Sequence, residues 1–156
     1  MYHLDSSVKA VWSIRYIVWA LLLSAGAFYL EWQSADASIF AVLPFGMLTG
    51  LVLAVGLVLA AVVPMVRYRH WAFELRPEEL VVQHGVFNRV RTVAPVRRVQ
   101  HIDVSQNVLE SMFGIGKLII YTAGTRGADI VIPGLIYEYA EDLRDQLKNN
   151  SLEDAV

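Results

Sequence analysis

Arg89, Arg91, Arg97 and Arg98 form one cluster of positive charge, and no acid lies between Leu80 and Ile102. Alternation along an extended strand points Arg89 and Arg91 the same way. A tight turn at Pro95 would bring Arg97 or Arg98 close to them. Two kinds of chemistry fit such a group. Facing an anionic leaflet, each basic residue adds about 1 kcal/mol of attraction. As a solvated face paired with Glu78, Glu79 or Asp103, each pair contributes roughly 0–1 kcal/mol. The first is a binding role, the second an ordinary solvated surface, and neither is catalysis.

Other reactive residue types lack the spacing that chemistry needs. Gly114-Ile115-Gly116-Lys117 has the look of a phosphate loop. The phosphate-loop pattern, however, requires Gly where Ser111 stands and Ser or Thr where Leu118 stands. The glycines fit a turn with close backbone approach instead. His3, His70, His84 and His101 are scattered without a metal-ligand spacing. His101 and Asp103 share a strand face and suit a surface pair, since structural zinc needs four ligands. Ser105 and Ser111 have no nucleophile-elbow context. Cysteine is absent, which removes disulfides, thiolate metal sites and a thiol nucleophile. No catalytic constellation, metal site or cofactor is implied. Net charge is −2, so bulk charge does not suggest nucleic acid as a partner.

The elements that would position the arginines begin with two apolar segments. The chain is 56% hydrophobic with a mean hydropathy of +0.45, and most of the excess precedes Arg67. The first span reads 11–30 and carries one charge, Arg15, placed to snorkel toward the headgroups. Trp12, Tyr16, Tyr29 and Trp32 fall near its ends, where amphipathic rings prefer to lie. The second span reads 39–66 without a charge, and Pro44 and Pro64 lie near its ends. The link 31–38 holds Glu31 and Asp36 and no basic residue. Lys9 and Arg15 lie at one flank, and Arg67, Arg69 and His70 at the other. The positive-inside rule then places both termini in the cytoplasm, with topology the main role of Arg67 and Arg69. A cleaved signal peptide ending at Ala35-Asp36-Ala37 is the competing reading; it conflicts with the long apolar stretch and the weakly basic start. Gly46, Gly50 and Ala54 make a small-residue face on the second span, and Ala20, Ser24 and Ala27 one on the first. Such faces suit packing within the hairpin or a homodimer seam.

From Trp71 the pattern becomes short apolar runs divided by turn residues, which predicts a small β domain. Strands are expected at 71–75, 80–83, 90–96, 100–104, 118–122 and 130–132, with turns at Arg76–Glu79, His84-Gly85 and Thr125–Gly127. Pro133-Gly134 is expected to end the last strand. Ile136, Tyr139, Ala140, Leu143 and Leu147 recur at helical spacing, with acids at the helix start and Lys148 at its end. A tail is expected from Asn149, and its Asn149-Asn150-Ser151 sequon would stay unused in the cytoplasm.

The block from Pro95 to Glu110, with Phe113-Gly114-Ile115-Gly116 and Tyr121-Thr122-Ala123-Gly124, resembles the bacterial pleckstrin-homology-like domain of YdbS-like membrane proteins. The two preceding spans and Pro133-Gly134-Leu135 are similar too. The resemblance implies an α+β fold: a transmembrane hairpin (1–66), then a PH-like antiparallel barrel or sandwich capped by a C-terminal helix (67–148), then a flexible tail (149–156). Ser111 and Met112 stand where members often carry basic residues after a Leu-Glu pair. The implied setting is the inner face of a bacterial plasma membrane. The expected function is a non-catalytic, membrane-tethered binding or scaffold module. An anionic-headgroup sensor using the arginines is the alternative, and an accessory subunit of a membrane enzyme or transporter a further one. Expected partners are membrane lipids, another membrane protein with related domains, or a second copy in a homo-oligomer.

Overall fold

The computed structural model describes residues 3–33, 44–123 and 130–153. The Ala35-Asp36-Ala37 motif, the expected start of the second span at Ile39 and the Thr125–Gly127 turn lie outside them. Two units are compact. One holds Trp12–Met65; the other joins Met1–Val11 to Val66–Val156.

The first unit is a pair of apolar helices. Helix α1 is Ser7–Gln33 and helix α2 is Met47–Arg69. At ~1.5 Å per residue, 27 and 23 residues give about 40 and 35 Å, enough to cross a ~30 Å hydrocarbon core. Their outward surface is unsuited to water: Trp19, Leu22, Leu23, Leu51 and Val58 are each more than half exposed. Apolar surface of this extent belongs in lipid. Pro64 is inside α2, which runs on to Arg69, rather than near a helix end. Its ring crowds the turn at residue 60, where Ala60 is small and buried.

Small residues hold this pair together, although the expected stripe on α2 is not the one used. Ala20, Ser24 and Ala27 are buried on α1, as expected. On α2 the close approach is at Gly56, where an added Cβ would overlap the Ala20 side chain and lie 3.2 Å from its Cα. Gly46 precedes the helix in a turn with φ +86°, and nothing lies within 4 Å of a Cβ at Gly46 or Gly50. Gly50 and Ala54 are exposed. The Gly46, Gly50 and Ala54 face therefore turns away from α1.

The second unit contains two antiparallel three-stranded sheets. Strands β1 (Ala72–Leu75), β2 (Glu79–His84) and β3 (Val90–Pro95) form one, in the order β1-β2-β3. Strands β4 (Val99–Ser105), β5 (Ile115–Thr122) and β6 (Ile130–Ile136) form the other, in the order β4-β5-β6. A 3-10 turn at Val96–Arg98 links them. Phe73, Leu80 and Val82 from the first sheet and Leu118, Ile120 and Ile132 from the second are all 2% exposed or less. Helix α4 (Tyr137–Glu153) closes the core with Ala140, Leu143 and Leu147. The α+β architecture implied by the resemblance is present.

Three local expectations change. β6 continues through Pro133 and Gly134 instead of ending there, with a bulge opposite Gly116–Leu118. An edge strand tolerates a proline that cannot donate, and Gly134 adopts φ +65°. Ile136 is consequently the last, half-exposed residue of that strand, not part of the helix stripe. Helix α4 extends five residues into the expected tail, since Asn149–Glu153 contains no Gly or Pro to stop it. Between β4 and β5 lies a further short helix, α3 (Val108–Met112), closed by a capping box: Asn107 accepts from the Glu110 N–H, and Glu110 accepts from the Asn107 N–H.

The N-terminal residues belong to this unit, not to the hairpin. The Asp5 N–H donates to the Gly134 carbonyl at 2.7 Å, and the Tyr68 hydroxyl donates to the Leu4 carbonyl at 3.0 Å. The Lys9 ammonium lies 4.6 Å from the Tyr68 ring centroid. Asp5 also starts α1, accepting the Ser7 N–H at 2.8 Å.

Candidate functional site

Strand β3 decides where the arginines go. It is an edge strand of six residues, paired from His84↔Val90 to Glu79↔Pro95. Arg89 precedes its first residue, Arg91 pairs with Gln83, and Arg97 and Arg98 lie in the turn beyond its last. Four residues separate Arg91 from Pro95, which at ~3.3 Å each is roughly 13 Å. All four arginines are exposed, but they form two pairs at opposite ends of one sheet. The turn at Pro95 leads into the second sheet and does not fold back on β3. The single cluster expected from the sequence is not formed.

The two ends differ in charge. At the far end Arg97 lines a cleft of about 420 Å³ with Glu78, Glu79 and Pro95. Arg76 bonds Glu79 there at 2.6 Å and Glu74 at 3.4 Å. These bonds, that to Glu74 first, raise the Arg76 guanidinium above its ordinary value. Arg97 thus lies beside acids, but the ion pairs at this end are made by Arg76, and neither Arg97 nor Arg98 has an acid within salt-bridge distance among the described residues.

Neither Arg89 nor Arg91 has an acid within salt-bridge distance among the described residues. The β2–β3 loop, residues 85–89, starts at Gly85 with φ +108°, and a Cβ there would collide with the Asn88 carbonyl. This tight loop presents Phe87 fully to solvent, at 104%. The register Ala72↔Gln83 sets the loop at the end of the sheet where the chain arrives from α2. The Trp71 and His84 rings stack there, 5.1 Å apart and 19° from parallel. His3 Nδ1 approaches the Trp71 carbonyl at 3.3 Å.

A second exposed feature is the α3 turn. Val108 and Met112, one helical turn apart, are 81% and 75% exposed. Sequence reasoning placed Met112 only as a missing basic residue and overlooked Phe87. The Asn107-x-x-Glu110 spacing and an aromatic within a polar turn were the available signals.

The expected pairing of His101 with Asp103 and the close backbone approach at the Gly114–Gly116 turn are present. His101 Nε2 and Asp103 Oδ1 lie 2.7 Å apart, both well exposed. No group of three or more potential metal ligands occurs among the described residues. Gly116 makes the close approach, with its Cβ position 3.2 Å from the Ser105 carbonyl oxygen. Between β4 and α4 lies a cleft of about 410 Å³ bordered by His101, Arg144, Asp145 and Lys148.

Comparison with known proteins agrees with this architecture. The family model described as Bacterial PH domain matches residues 13–151. The transmembrane protein YdbS of Bacillus subtilis (strain 168) is 34% identical over 102 residues, covering 65% of this chain and 62% of that protein. The transmembrane protein YdbT of the same organism is 30% identical over 92 residues, covering 59% of this chain and 18% of its own length. The chain thus spans about three-fifths of one relative and about a fifth of the other. No solved structure matches significantly.

Proposed function

This chain belongs to the bacterial PH domain family, and from that premise we propose that it is a non-catalytic, membrane-tethered binding and scaffold module. It is a membrane protein carrying a bacterial PH-like domain. In this reading both helices cross the plasma membrane, both termini are cytoplasmic, and the domain works at the inner face. The observation that carries the reading is α3. A capped helical turn holds Val108 and Met112 outward, where water is the wrong solvent for them. The occupant proposed is another membrane protein bearing related domains, since two transmembrane proteins of one organism share this sequence pattern. A second copy of the chain is the competing occupant.

The test is site-specific photocrosslinking from position 111, beside Met112 on the same exposed turn, of the full chain in native membranes. A partner carrying a related domain, lost in a Val108→Asp/Met112→Asp variant of unchanged thermal stability, supports the proposal. An adduct with a second copy supports a homo-oligomer instead. Absence of any adduct removes the scaffold role from this surface.

A second reading has its own observation. Arg89 and Arg91 are exposed and lack acid partners among the described residues, which favours an anionic lipid headgroup. Two arginines would contribute about 2 kcal/mol, adequate for a domain that is already tethered. Anionic lipid retained through purification should fall in an Arg89→Gln/Arg91→Gln variant. Unchanged retention would count against it.

A further inference from the structure

We infer that the β2–β3 loop is a membrane contact, with Phe87 entering the inner-leaflet interface and Arg89 and Arg91 holding the phosphates of anionic phospholipid. The inference rests on the headgroup reading and extends it to a wedge of defined position. Three observations converge on the loop. Phe87 is an entirely exposed aromatic side chain held on a tight loop that Gly85 makes possible. An amphipathic interface favours such a ring far more than water does. Arg89 and Arg91 follow it in the chain with no acid partner among the described residues, whereas at the far end of the same sheet Glu74, Glu78 and Glu79 lie beside Arg76 and Arg97.

The third observation is position. Helix α2 is about 35 Å long against a hydrocarbon core of ~30 Å, so its last turn, with Arg67 and Arg69, reaches the headgroups. Trp71 follows two residues later and stacks on His84. Phe87 is three residues beyond His84, within about 10 Å even for extended chain. The loop is thus tied to the point where the chain leaves the bilayer. Trp71 itself is buried and unavailable as an interfacial anchor. Phe87 is free to take that role.

The chain contains no cysteine, so one placed at Asn88→Cys carries a single fluorescent label beside an intact Phe87. A control label at Glu78→Cys reports from the opposite end of the same sheet. The full chain is placed in nanodiscs of phosphatidylcholine with or without phosphatidylglycerol, containing lipid spin-labelled near the top of the acyl chain. Expected is quenching several-fold stronger at 88 than at 78 with anionic lipid, falling to the level at 78 in Phe87→Ser. Equal quenching at the two positions overturns the wedge. Should Arg89→Gln/Arg91→Gln lose retained anionic lipid in that case, the headgroup reading survives alone. Strong quenching at 88 that ignores both lipid charge and the Gln variants removes the headgroup reading and overturns the arginine half of the inference, leaving only Phe87 in the interface.

Discussion

The carboxylate of Glu31, at the end of α1, caps the start of α2: Oε2 accepts the Thr49 hydroxyl at 2.6 Å, and Oε1 accepts the Leu48 N–H at 2.8 Å. Glu31 is 5% exposed. The first amides of a helix have no intrahelical acceptor, and the helix dipole favours negative charge beside them. One acid thereby satisfies orphan donors of the next helix and ties the two helices together. Glu31→Ala should lower the thermal midpoint of the protein in detergent by several degrees. Glu31→Gln, which keeps an acceptor, should cost less. Thr49→Val should lose nothing further in the Glu31→Ala background. Additive losses would show that the two groups act independently.

Gly56 and Gly50 provide a contrast within α2. Gly56→Val places atoms where Ala20 already sits, and overpacking of this kind costs about 1–3 kcal/mol. A Cβ at Gly50 meets nothing within 4 Å, so Gly50→Leu should leave the hairpin intact. Its effect, if the exposed Gly46, Gly50 and Ala54 face is a seam between copies, is on oligomeric state alone. Helix–helix association and detergent-resistant oligomers measure the two separately.

The N-terminal arm meets the domain at Gly134. That residue has φ +65°, and a Cβ on it would lie 2.5 Å from the Val8 side chain. Gly134→Ala should therefore destabilise the domain by roughly 1–2 kcal/mol from backbone conformation alone, with a further loss from the contact. Adding Val8→Ala removes the two Cγ atoms but keeps the Cβ that lies 2.5 Å away, so it should recover only part of the contact share and leave the backbone share. Proteolysis within 3–11 should quicken in the single variant, because the Asp5-to-Gly134 bond is disturbed.

Asp145 gives a pH-dependent prediction. The Arg144 Nε donates to its Oδ1 at 2.9 Å, and this bond holds the carboxyl below its ordinary value against the opposing effect of burial. A lowered folded pKa contributes stability that is present above the unfolded value and lost as pH falls through the folded one. Arg144→Gln should move the Asp145 carboxyl titration, followed by NMR, up toward the ordinary range. The stability difference from wild type should be small, because the pair is partly exposed, and should vanish in acid.

Topology is tested by labelling. A C-terminal reporter should behave as cytoplasmic, and Ser34→Cys in the otherwise cysteine-free chain should react with an impermeant thiol reagent from outside. A C-terminus reached from outside would overturn the arrangement of two spans with cytoplasmic ends.

Composition and periodicity by themselves determined the two apolar helices, the order of six strands and the buried stripe Ala140, Leu143 and Leu147. Those features depend on local signals: a span needs only length and hydrophobicity, and strands and helices declare their period within a few residues. Tertiary structure decided everything that turned on which residues meet. Residue spacing on α2 pointed to Gly46, Gly50 and Ala54, but the rotation of one helix against the other selected Gly56, and no single-helix pattern encodes that angle. Proximity in sequence grouped Arg89, Arg91, Arg97 and Arg98. A straight six-residue strand then held them apart, because extended chain adds ~3.3 Å with every residue. The Glu31 cap was equally invisible: it depends on how two helix ends meet, joining residues whose types alone are ordinary.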